Sequence, residues 1–384
     1  MLLLRNCRFI PELTEDTDLV CGDVQIVDQK ITAILPCGTQ VDGDYAELDL
    51  QGKTLMPGLI DMHLHLRHYK DLTPVAPCDI AYNVLCYANF MLDNGYTTLR
   101  DCGDHKSTPA AALRRAIQAG KFVGPNIYTS GMTIMPTETG GELPWARENH
   151  IYADSAQQMR YDVRYVIMEG ADFVKLYGSG SMMVEGAQPG NRIMETDEME
   201  AAVKAAAMKS TYCAIHMHGA EGCDTAARVG IRTIEHASFI TEDTLRYLDG
   251  KEDQGIVITA AIFGSIGDSP MAKRRMEESF ACLRKVKNYN VLVGWGTDIS
   301  LHDYMADPYL EFKFRKEQLG FSNSEILKQV TMNSAKLMMQ DHLFGSVKVG
   351  KLADLIVVDG DPVEDLTIMY QKPVHVIKSG KIIR

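Results

Sequence analysis

Long apolar runs are missing from this sequence: no stretch approaches the roughly 20 residues that a membrane-spanning helix needs. The apolar start, Met1–Asn6, is too short for a secretion signal, lacks a basic segment and continues into a predicted strand. Cys-x-x-Cys pairs are also missing, and the nine cysteines are scattered, which favours reduced thiols over a disulfide framework. We therefore expect a cytoplasmic protein that has no contact with a membrane.

Positive charge is scarce as well. Lys and Arg total 39 against 51 Asp and Glu, and the net charge of -12 argues against nucleic acid or an anionic membrane as the main partner. With 46% hydrophobic and 23% charged residues, the composition is that of a globular chain. The 384 residues suffice for one large domain with a small companion. The partner we expect is a small-molecule substrate, and a homo-oligomer stays open.

Strand and helix patterns alternate through the middle of the chain. Short apolar segments bounded by turn formers predict buried strands at Leu55–His65, Thr97–Cys102, Asn126–Gly131, Asp172–Leu176, Tyr212–His218, Thr233–His236, Ile256–Ala261 and Val291–Thr297. Helical periodicity appears between them, at Ile80–Asn94, Pro109–Ala119, Ser155–Glu169, Thr196–Lys209 and Thr241–Asp249. This repeated alternation predicts an α/β fold, a (β/α)8 TIM barrel over residues 55–344.

Both ends of the chain lack the alternation of strand and helix patterns. Short strands separated by turns fill the first fifty-odd residues and return in the last forty, as in Ile31–Leu35 and Leu355–Asp359. Neither block is large enough to bury a core alone. We expect residues 1–54 and 345–384 to pair into one small β-sandwich.

Two histidines end the first strand of the predicted barrel. His63 and His65 are separated by one residue, and because side chains alternate along a strand, both imidazoles point the same way. Two imidazoles one pleat apart can hold a single metal ion. Alone, the pattern is equally compatible with a strand that happens to end in two histidines.

Further polar residues stand at or near the ends of other predicted strands. They are Lys175 in strand four, His216 in strand five, His236 in strand six and Asp298 in the segment that follows strand eight. Active sites of (β/α)8 barrels lie at the carboxyl ends of the strands. Because packing does not explain this set, it predicts a metal-dependent catalytic site.

This pattern resembles the amidohydrolase superfamily, in its two-metal form with a lysine. The markers are the segments Pro57–His65, Thr97–Asp101, Phe173–Lys175, Ile234–His236, Gly296–Asp298 and Gly345–Leu355. They cover nearly the whole chain and together are highly specific. The resemblance implies an enzyme, a metal-dependent hydrolase that acts on C–N bonds.

The resemblance also implies how two divalent ions are bound. The ligands would be His63, His65 and Asp298 for one ion, His216 and His236 for the other, and Lys175, carbamylated by CO2, as a bridge between them. Zinc suits such ligands best. A hydroxide between ions ~3.5–4 Å apart would attack the substrate carbonyl. Asp298 would then act as the catalytic proton carrier, from the hydroxide to the leaving nitrogen.

Within the superfamily, the chain looks most similar to Xaa-Pro dipeptidases (prolidase-like) and arginine carboxypeptidases, and shares motifs with imidazolonepropionase-like proteins. The similarity rests on Gly178–Ser181, on His216–Gly222 and on Ile234–Ile240. It implies hydrolysis of the amide bond of a dipeptide or an N-acyl amino acid, with Xaa-Pro among the candidates.

Three residues are candidates for contact with the substrate. His218 shares a strand face with His216 and is a catalytic candidate that could donate a hydrogen bond to the scissile carbonyl, or it is an exposed loop residue. Tyr177 lines the pocket or packs against the barrel rim. Glu142 stands where the resemblance expects a histidine, so it either binds a cationic group or is a solvated loop charge. This departure puts dipeptidase specificity in doubt.

Two other interpretations stay open. The segment His218–Glu221 superficially matches the His-x-x-Glu motif of deaminases, and imidazolone-type ring hydrolases are related. Those enzymes usually use one metal and have no lysine at strand four, so Lys175 argues against them. A non-catalytic scaffold relative would typically have lost metal ligands, whereas all six positions are filled here.

Overall fold

The computed structural model describes residues 1–67, 76–137, 149–182, 188–265, 270–299 and 307–384. Within these ranges, none of the helices is both long and apolar enough to span a bilayer. The strands in chain order are β1 (Leu2–Phe9), β2 (Cys21–Val27), β3 (Lys30–Leu35), β4 (Ala46–Asp49), β5 (Thr54–Pro57), β6 (Leu59–Leu64), β7 (Tyr96–Asp101), β8 (Asn126–Thr129), β9 (Thr133–Met135), β10 (His150–Tyr152), β11 (Val174–Tyr177), β12 (Cys213–Met217), β13 (Thr233–His236), β14 (Gly255–Ile258), β15 (Leu292–Trp295), β16 (Leu355–Val358), β17 (His375–Lys378) and β18 (Lys381–Ile382).

The helices alternate with the central strands, as the periodicity predicts. They are α1 (Pro77–Asp93), α2 (Pro109–Gln118), α3 (Ala156–Met168), α4 (Thr196–Ala207), α5 (Ala220–Val229), α6 (Glu242–Leu248), α7 (Pro270–Leu283), α8 (Leu310–Phe314), α9 (Asn323–Lys328) and α10 (Ser334–Leu337). Their ends carry the expected signals: Ser155 caps α3 through its side chain, and Gly230, at φ +92°, ends α5.

The central strands form two parallel sheets. One has the order β10-β9-β11-β12-β13-β14-β15 and the other β6-β7-β8. Strands β12, β13 and β14 are buried throughout, which is the burial expected of parallel strands covered on both faces. The edges of the two sheets also meet, since the Asp298 N–H donates to the His63 carbonyl at 2.7 Å and the Asp172 N–H to the Thr129 carbonyl at 2.8 Å. An α/β fold with parallel sheets is therefore confirmed.

Both ends of the chain contribute to a third sheet of eight strands. Its order is β18-β17-β16-β5-β1-β2-β3, with β4 paired to β1. A separate apolar cluster lies on it and includes Leu4, Val24, Ile26, Leu355 and Ile377. The pairing of N- and C-terminal strands explains how two blocks that are each too small share one core. That the sheet folds into a two-layer sandwich stays a prediction.

The predicted strand Leu55–His65 is divided in the structure. Strand β5 belongs to the terminal sheet and β6 to a parallel sheet, and the chain passes between them at Gly58. A Cβ atom on Gly58 would lie 2.2 Å from the Thr97 hydroxyl oxygen, so only glycine fits this crossing. The Gly58 N–H donates to the Asp354 carbonyl at 2.9 Å. Continuous hydrophobicity hid the break, because both halves are buried.

A buried ion pair joins the terminal sheet to the parallel strands. The Lys378 ammonium donates to Asp354 at 2.9 and 3.0 Å and to the Asn126 side-chain carbonyl at 3.0 Å. Asn126 begins β8 and itself donates to Asp354 at 2.8 Å. Since both charged side chains are at least nine-tenths buried, each depends on the other for compensation.

We predict that Lys378→Met lowers the free energy of unfolding by about 3–5 kcal/mol, because it leaves the Asp354 carboxylate buried and unpaired. The matched control is Lys381→Met, at an exposed position in β18, which should stay within about 0.5 kcal/mol of the wild type. Urea unfolding followed by circular dichroism measures both. Equal stability of the two variants would mean that this ion pair does not hold the sheets together.

Candidate metal centre

Six of the residues predicted from the sequence meet at the carboxyl ends of the parallel strands. They are His63 in β6, His65 directly after it, Lys175 in β11, His216 in β12, His236 at the end of β13 and Asp298, three residues beyond β15. Parallel strands bring their carboxyl ends to one edge, which is why residues far apart in sequence become neighbours there. His218, just beyond β12, joins the same group.

The ligand atoms fall into two adjoining clusters. On one side, Nε2 of His63 and Nε2 of His65 lie 3.7 and 3.5 Å from Oδ1 of Asp298. On the other side, the rings of His216 and His236 have their centroids 4.5 Å apart, and His218 lies 4.5 and 4.8 Å from them. The His63 and His236 rings, 4.7 Å apart, connect the two clusters.

All the imidazoles are held neutral. Burial lowers the pKa of His63, His65, His216 and His236 well below its ordinary value, and the positive charge of Lys175 lowers it further. A neutral imidazole has a free lone pair for a metal ion, whereas an imidazolium has none. The site is therefore prepared to bind cations through nitrogen.

Lys175, in β11, is buried beneath the same end of the sheet, with only 2% of its surface exposed. Its charge acts on five imidazoles and on Asp298. Burial raises the pKa of Asp298 to about 7, and Lys175 opposes that increase. Metal ions bound by the neighbouring rings would repel a positive charge at this position.

Hydrogen bonds from surrounding residues fix the orientation of the rings. Nδ1 of His63 donates to Glu235 at 2.8 Å, and Glu235 accepts from the Arg100 guanidinium at 2.7 Å. Nδ1 of His236 lies 2.7 Å from the Thr259 hydroxyl. With Nδ1 engaged, Nε2 of both rings is left for an ion, an arrangement common to metal-binding histidines.

One atom in the site has no such partner. Nε2 of His216 is buried and makes no hydrogen bond with any described residue. Buried polar atoms in folded proteins are nearly always paired, so an orphan at this position indicates a missing ligand. Together with the neutral imidazoles and the carboxylate, this atom shows that the residues fit a divalent metal ion of the zinc type.

Unusual backbone conformations orient two of the candidate ligands, His236 and Asp298. Adjacent residues on a strand face opposite sides, yet both Glu235 and His236 reach the site. His236 adopts φ +70° and Ala237 φ +49°, which turns the His236 ring inward. Asp298 has φ +52°. Left-handed conformations are strained for residues other than glycine, and their concentration at these ligands is typical of functional sites.

A cavity opens beside the second cluster. Its described lining is Ser181, Met182, His216, His218, His236, Ser238, Thr259, Ile262, Phe263, Leu283 and Asp298. The Tyr177 ring stacks on His216 at 3.9 Å between centroids and is not among these lining residues, so its contact with a substrate stays a prediction. A substrate in this space would contact the candidate ligands directly.

The remaining candidates from the sequence have different outcomes. His218 is 5% exposed and its Nδ1 lies 2.8 Å from the Ser238 hydroxyl, so the interpretation as an exposed loop residue was wrong. Glu142 lies outside the described residues. Arg100 and Glu235 were predicted only as parts of family-marker segments. The glutamate directly before His236 was the signal for a supporting role, and its pairing with the buried Arg100 is seen in the structure.

Comparisons with known proteins agree with this geometry. The chain is 28% identical to the ochratoxinase of Aspergillus niger over 374 residues, which cover 86% of this chain and 75% of the relative. A crystal structure of a Xaa-Pro dipeptidase with methionine in its active site is 27% identical, with a TM-score of 0.86 and coverage of 100% and 99%. A 5-methylthioadenosine/S-adenosylhomocysteine deaminase of Saccharophagus degradans is 23% identical over 390 residues, 92% of this chain and 81% of that protein.

The family model described as "Amidohydrolase family" matches residues 54–383, which include every candidate ligand. With the parallel α/β fold and relatives that are hydrolases acting on C–N bonds, this match identifies a hydrolase. The chain belongs to the amidohydrolase family.

Proposed function

We propose that this protein hydrolyses the amide bond of a dipeptide or an N-acyl amino acid with the help of two divalent metal ions. The observation that carries the proposal is the group of five neutral imidazoles, one carboxylate and one buried lysine, of which His216, His218, His236 and Asp298 line one cavity. Similarity to an ochratoxinase and a Xaa-Pro dipeptidase supports an amide or peptide bond as the target.

We further propose that the two parallel sheets close into a (β/α)8 barrel over residues 55–344, with residues 1–54 and 345–384 as its β-companion. Hydrogen bonds at both sheet edges support closure, at Asp298–His63 and at Asp172–Thr129. In such a barrel the catalytic residues share one end, which agrees with the position of the six candidates.

The ligand set divides between two ions, which we take to be zinc. His63, His65 and Asp298 would hold one ion, and His216 and His236 the other. Lys175 would serve both after carbamylation, in which the ammonium first loses a proton, the neutral amine adds to CO2 with formation of an N–C bond, and a second proton is released. That reaction replaces a buried cation by an anion, which the surrounding imidazoles would favour once they bind metal.

Bound ions would supply an activated water nucleophile and polarise the scissile carbonyl. Asp298 is placed to accept a proton from that water and to transfer it to the leaving nitrogen. Its pKa of about 7, raised by burial, suits a group that must both take and release a proton near neutral pH.

His218 would orient the substrate carbonyl. Burial lowers the pKa of its imidazole to about 3, so the ring stays neutral. If the Ser238 hydroxyl donates to Nδ1, the proton lies on Nε2, from which it can be donated to a carbonyl oxygen. A neutral donor polarises the carbonyl without adding a charge to the site.

A second candidate is hydrolysis of a cyclic amide or deamination. It draws support from the place of His218 in the cluster with His216 and His236, and from the similarity to a deaminase. The buried Lys175 favours the two-metal amide hydrolase, because a one-metal site leaves this lysine without a role.

Assays on zinc-loaded protein separate these functions. We expect turnover of N-acyl amino acids or dipeptides, and none of adenosine, imidazolones or other cyclic amides. Cleavage of only the second group would contradict the proposed amide hydrolysis of linear substrates.

Metal analysis tests the ligand assignment. We expect two ions per chain in the wild type and one in His216→Ala, because that variant removes a ligand of the second ion only. Chelation should abolish activity, and zinc should restore it. Full activity with a single ion would favour the deaminase type, and absence of bound metal would favour a non-catalytic scaffold.

We predict that Asp298→Asn lowers kcat about 10²- to 10⁴-fold, since an amide cannot accept and return the proton. The control Asp359→Asn changes an exposed aspartate whose side chain is 72% accessible, and it should leave kcat unchanged. Thermal unfolding of both variants should match the wild type, and the metal content of Asp298→Asn shows how far the loss of kcat comes from a weaker first ion, because Asp298 is also a proposed ligand. A fully active Asp298→Asn enzyme would remove Asp298 from proton transfer.

A further inference from the structure

Two cysteine thiols meet at one end of the terminal sheet. Sγ of Cys21, which begins β2, lies 3.0 Å from Sγ of Cys37, two residues after the end of β3. The antiparallel pairing of β2 with β3 places Asp23 opposite Leu35. Continued by two residues, this register brings Cys21 opposite Cys37. Residues opposite each other in antiparallel strands have Cβ atoms about 4.5–5.5 Å apart, so the thiol contact follows from the register of the hairpin.

Hydrogen bonds hold the turn that carries Cys37 in place. The buried carboxylate of Asp23 accepts from the Gly38 N–H at 2.9 Å and from the Arg5 guanidinium at 2.8 Å. Arg5 also donates to the Thr39 carbonyl at 2.7 Å, so the two residues that follow Cys37 are both bound to side chains of β1 and β2. Because the turn is anchored, the chain loses little further freedom when the two sulfurs are joined.

The cysteine pair is accessible from solvent. Cys37 is exposed and Cys21 is half-buried, whereas Cys7, in the neighbouring strand β1, is fully buried. Among the described residues, the groups of side chains that could hold a metal ion contain none of these three cysteines. Oxidation by a small reagent is therefore the reaction open to the exposed pair.

We propose that Cys21 and Cys37 form a reversible disulfide when the protein encounters a low-molecular-weight disulfide such as oxidised glutathione, and that this bond ties the start of β2 to the turn after β3. Both residues are free thiols in the structure. The inference goes beyond the proposed hydrolytic function and does not depend on it, because it concerns the terminal sheet alone.

The thiol–disulfide exchange takes place in two steps. Cys37, the more exposed thiol, loses its proton and attacks one sulfur of the oxidant, which forms a mixed disulfide and releases the first glutathione thiolate. Cys21 then loses its proton, attacks Sγ of Cys37 and displaces the second glutathione thiolate. The released thiolates take up the two protons, so two cysteine thiols are oxidised and one disulfide of the oxidant is reduced. An excess of a reducing thiol reverses both steps.

The contact between the thiols slows the first step. The hydrogen bond with Cys21, with a smaller contribution from burial, raises the pKa of Cys37 to about 11. Only the thiolate is a nucleophile, so a small fraction of Cys37 is reactive at neutral pH. We therefore expect the disulfide to form over hours and not over seconds.

The disulfide would stabilise the hairpin of β2 and β3. The two cysteines are 16 positions apart in the sequence, and a cross-link that closes such a loop removes conformational freedom from the unfolded chain. In the folded protein the two sulfurs are already in contact, so the cross-link restricts the folded state much less. Local opening of the hairpin should therefore become rarer.

Mass spectrometry of the folded protein tests the bond. After hours with an excess of oxidised glutathione, free thiols are blocked with iodoacetamide and the protein is digested without reductant. We expect most of the peptides that contain Cys21 and Cys37 to be joined, and dithiothreitol to separate them. Cys21→Ser should carry glutathione on Cys37 instead. Cys78→Ser, at an exposed position in α1, is the matched control and should keep the joined pair.

Two results would overturn the proposal. Wild-type protein that retains glutathione on Cys37 would show that the second step does not occur. Free Cys21 and Cys37 in a sample whose exposed Cys78 and Cys86 carry glutathione would show that the pair does not react, because the oxidant has then reached accessible thiols.

Hydrogen exchange tests the stabilising effect. Amides of β2 and β3 should exchange about 10-fold more slowly in oxidised than in reduced wild-type protein, while those of α4 should not change. Cys21→Ser should show no difference between the two treatments. Equal exchange in the hairpin of oxidised and reduced wild type, despite a joined pair, would overturn the stabilising role of the disulfide.

Discussion

Burial of a lysine among five imidazoles is the constraint on which the rest of this site depends. Lys175 and the histidines around it lie in one desolvated space, where each positive charge disfavours every other. The imidazoles therefore stay neutral, and a neutral imidazole has a free lone pair with which it can bind a metal ion. A carbamate on Lys175 would replace a positive charge in this space by the anion that the proposed pair of metal ions would need.

Many buried polar groups hold those imidazoles in place. Arg100 and Glu235 orient His63, and Thr259 orients His236. Left-handed backbone at His236 and Asp298 directs side chains that a regular strand would point elsewhere. Strain of this kind persists only in a rigid surrounding. The buried strands of the parallel sheets therefore hold the site in place as well as forming the core.

The sequence was most informative where chemistry and strand ends coincide. His63, His65, His216, His236 and Asp298 are found together because parallel strands present their carboxyl ends on one side, a rule that needs no structure. The break at Gly58 was missed because it depends on steric contact with Thr97, which no local pattern reveals. The short strands β9 and β10 were also missed, since three residues give too little periodicity.

Residues whose roles depend on tertiary contacts were the hardest to identify from the sequence. His218 allowed a buried and an exposed interpretation, and the contact with Ser238 decided between them. The position of this side chain depends on a tertiary contact that a linear pattern does not contain.

The bridging role of Lys175 is tested most directly by a crystal structure of zinc-loaded protein, grown with bicarbonate and measured at the zinc absorption edge. We expect two anomalous peaks, one beside His63 and His65 and one beside His216 and His236. Continuous density should join Nζ of Lys175 to both peaks through a carbamate. A single peak would contradict the two-metal site, and two peaks beside an unmodified lysine would contradict the bridging role of Lys175.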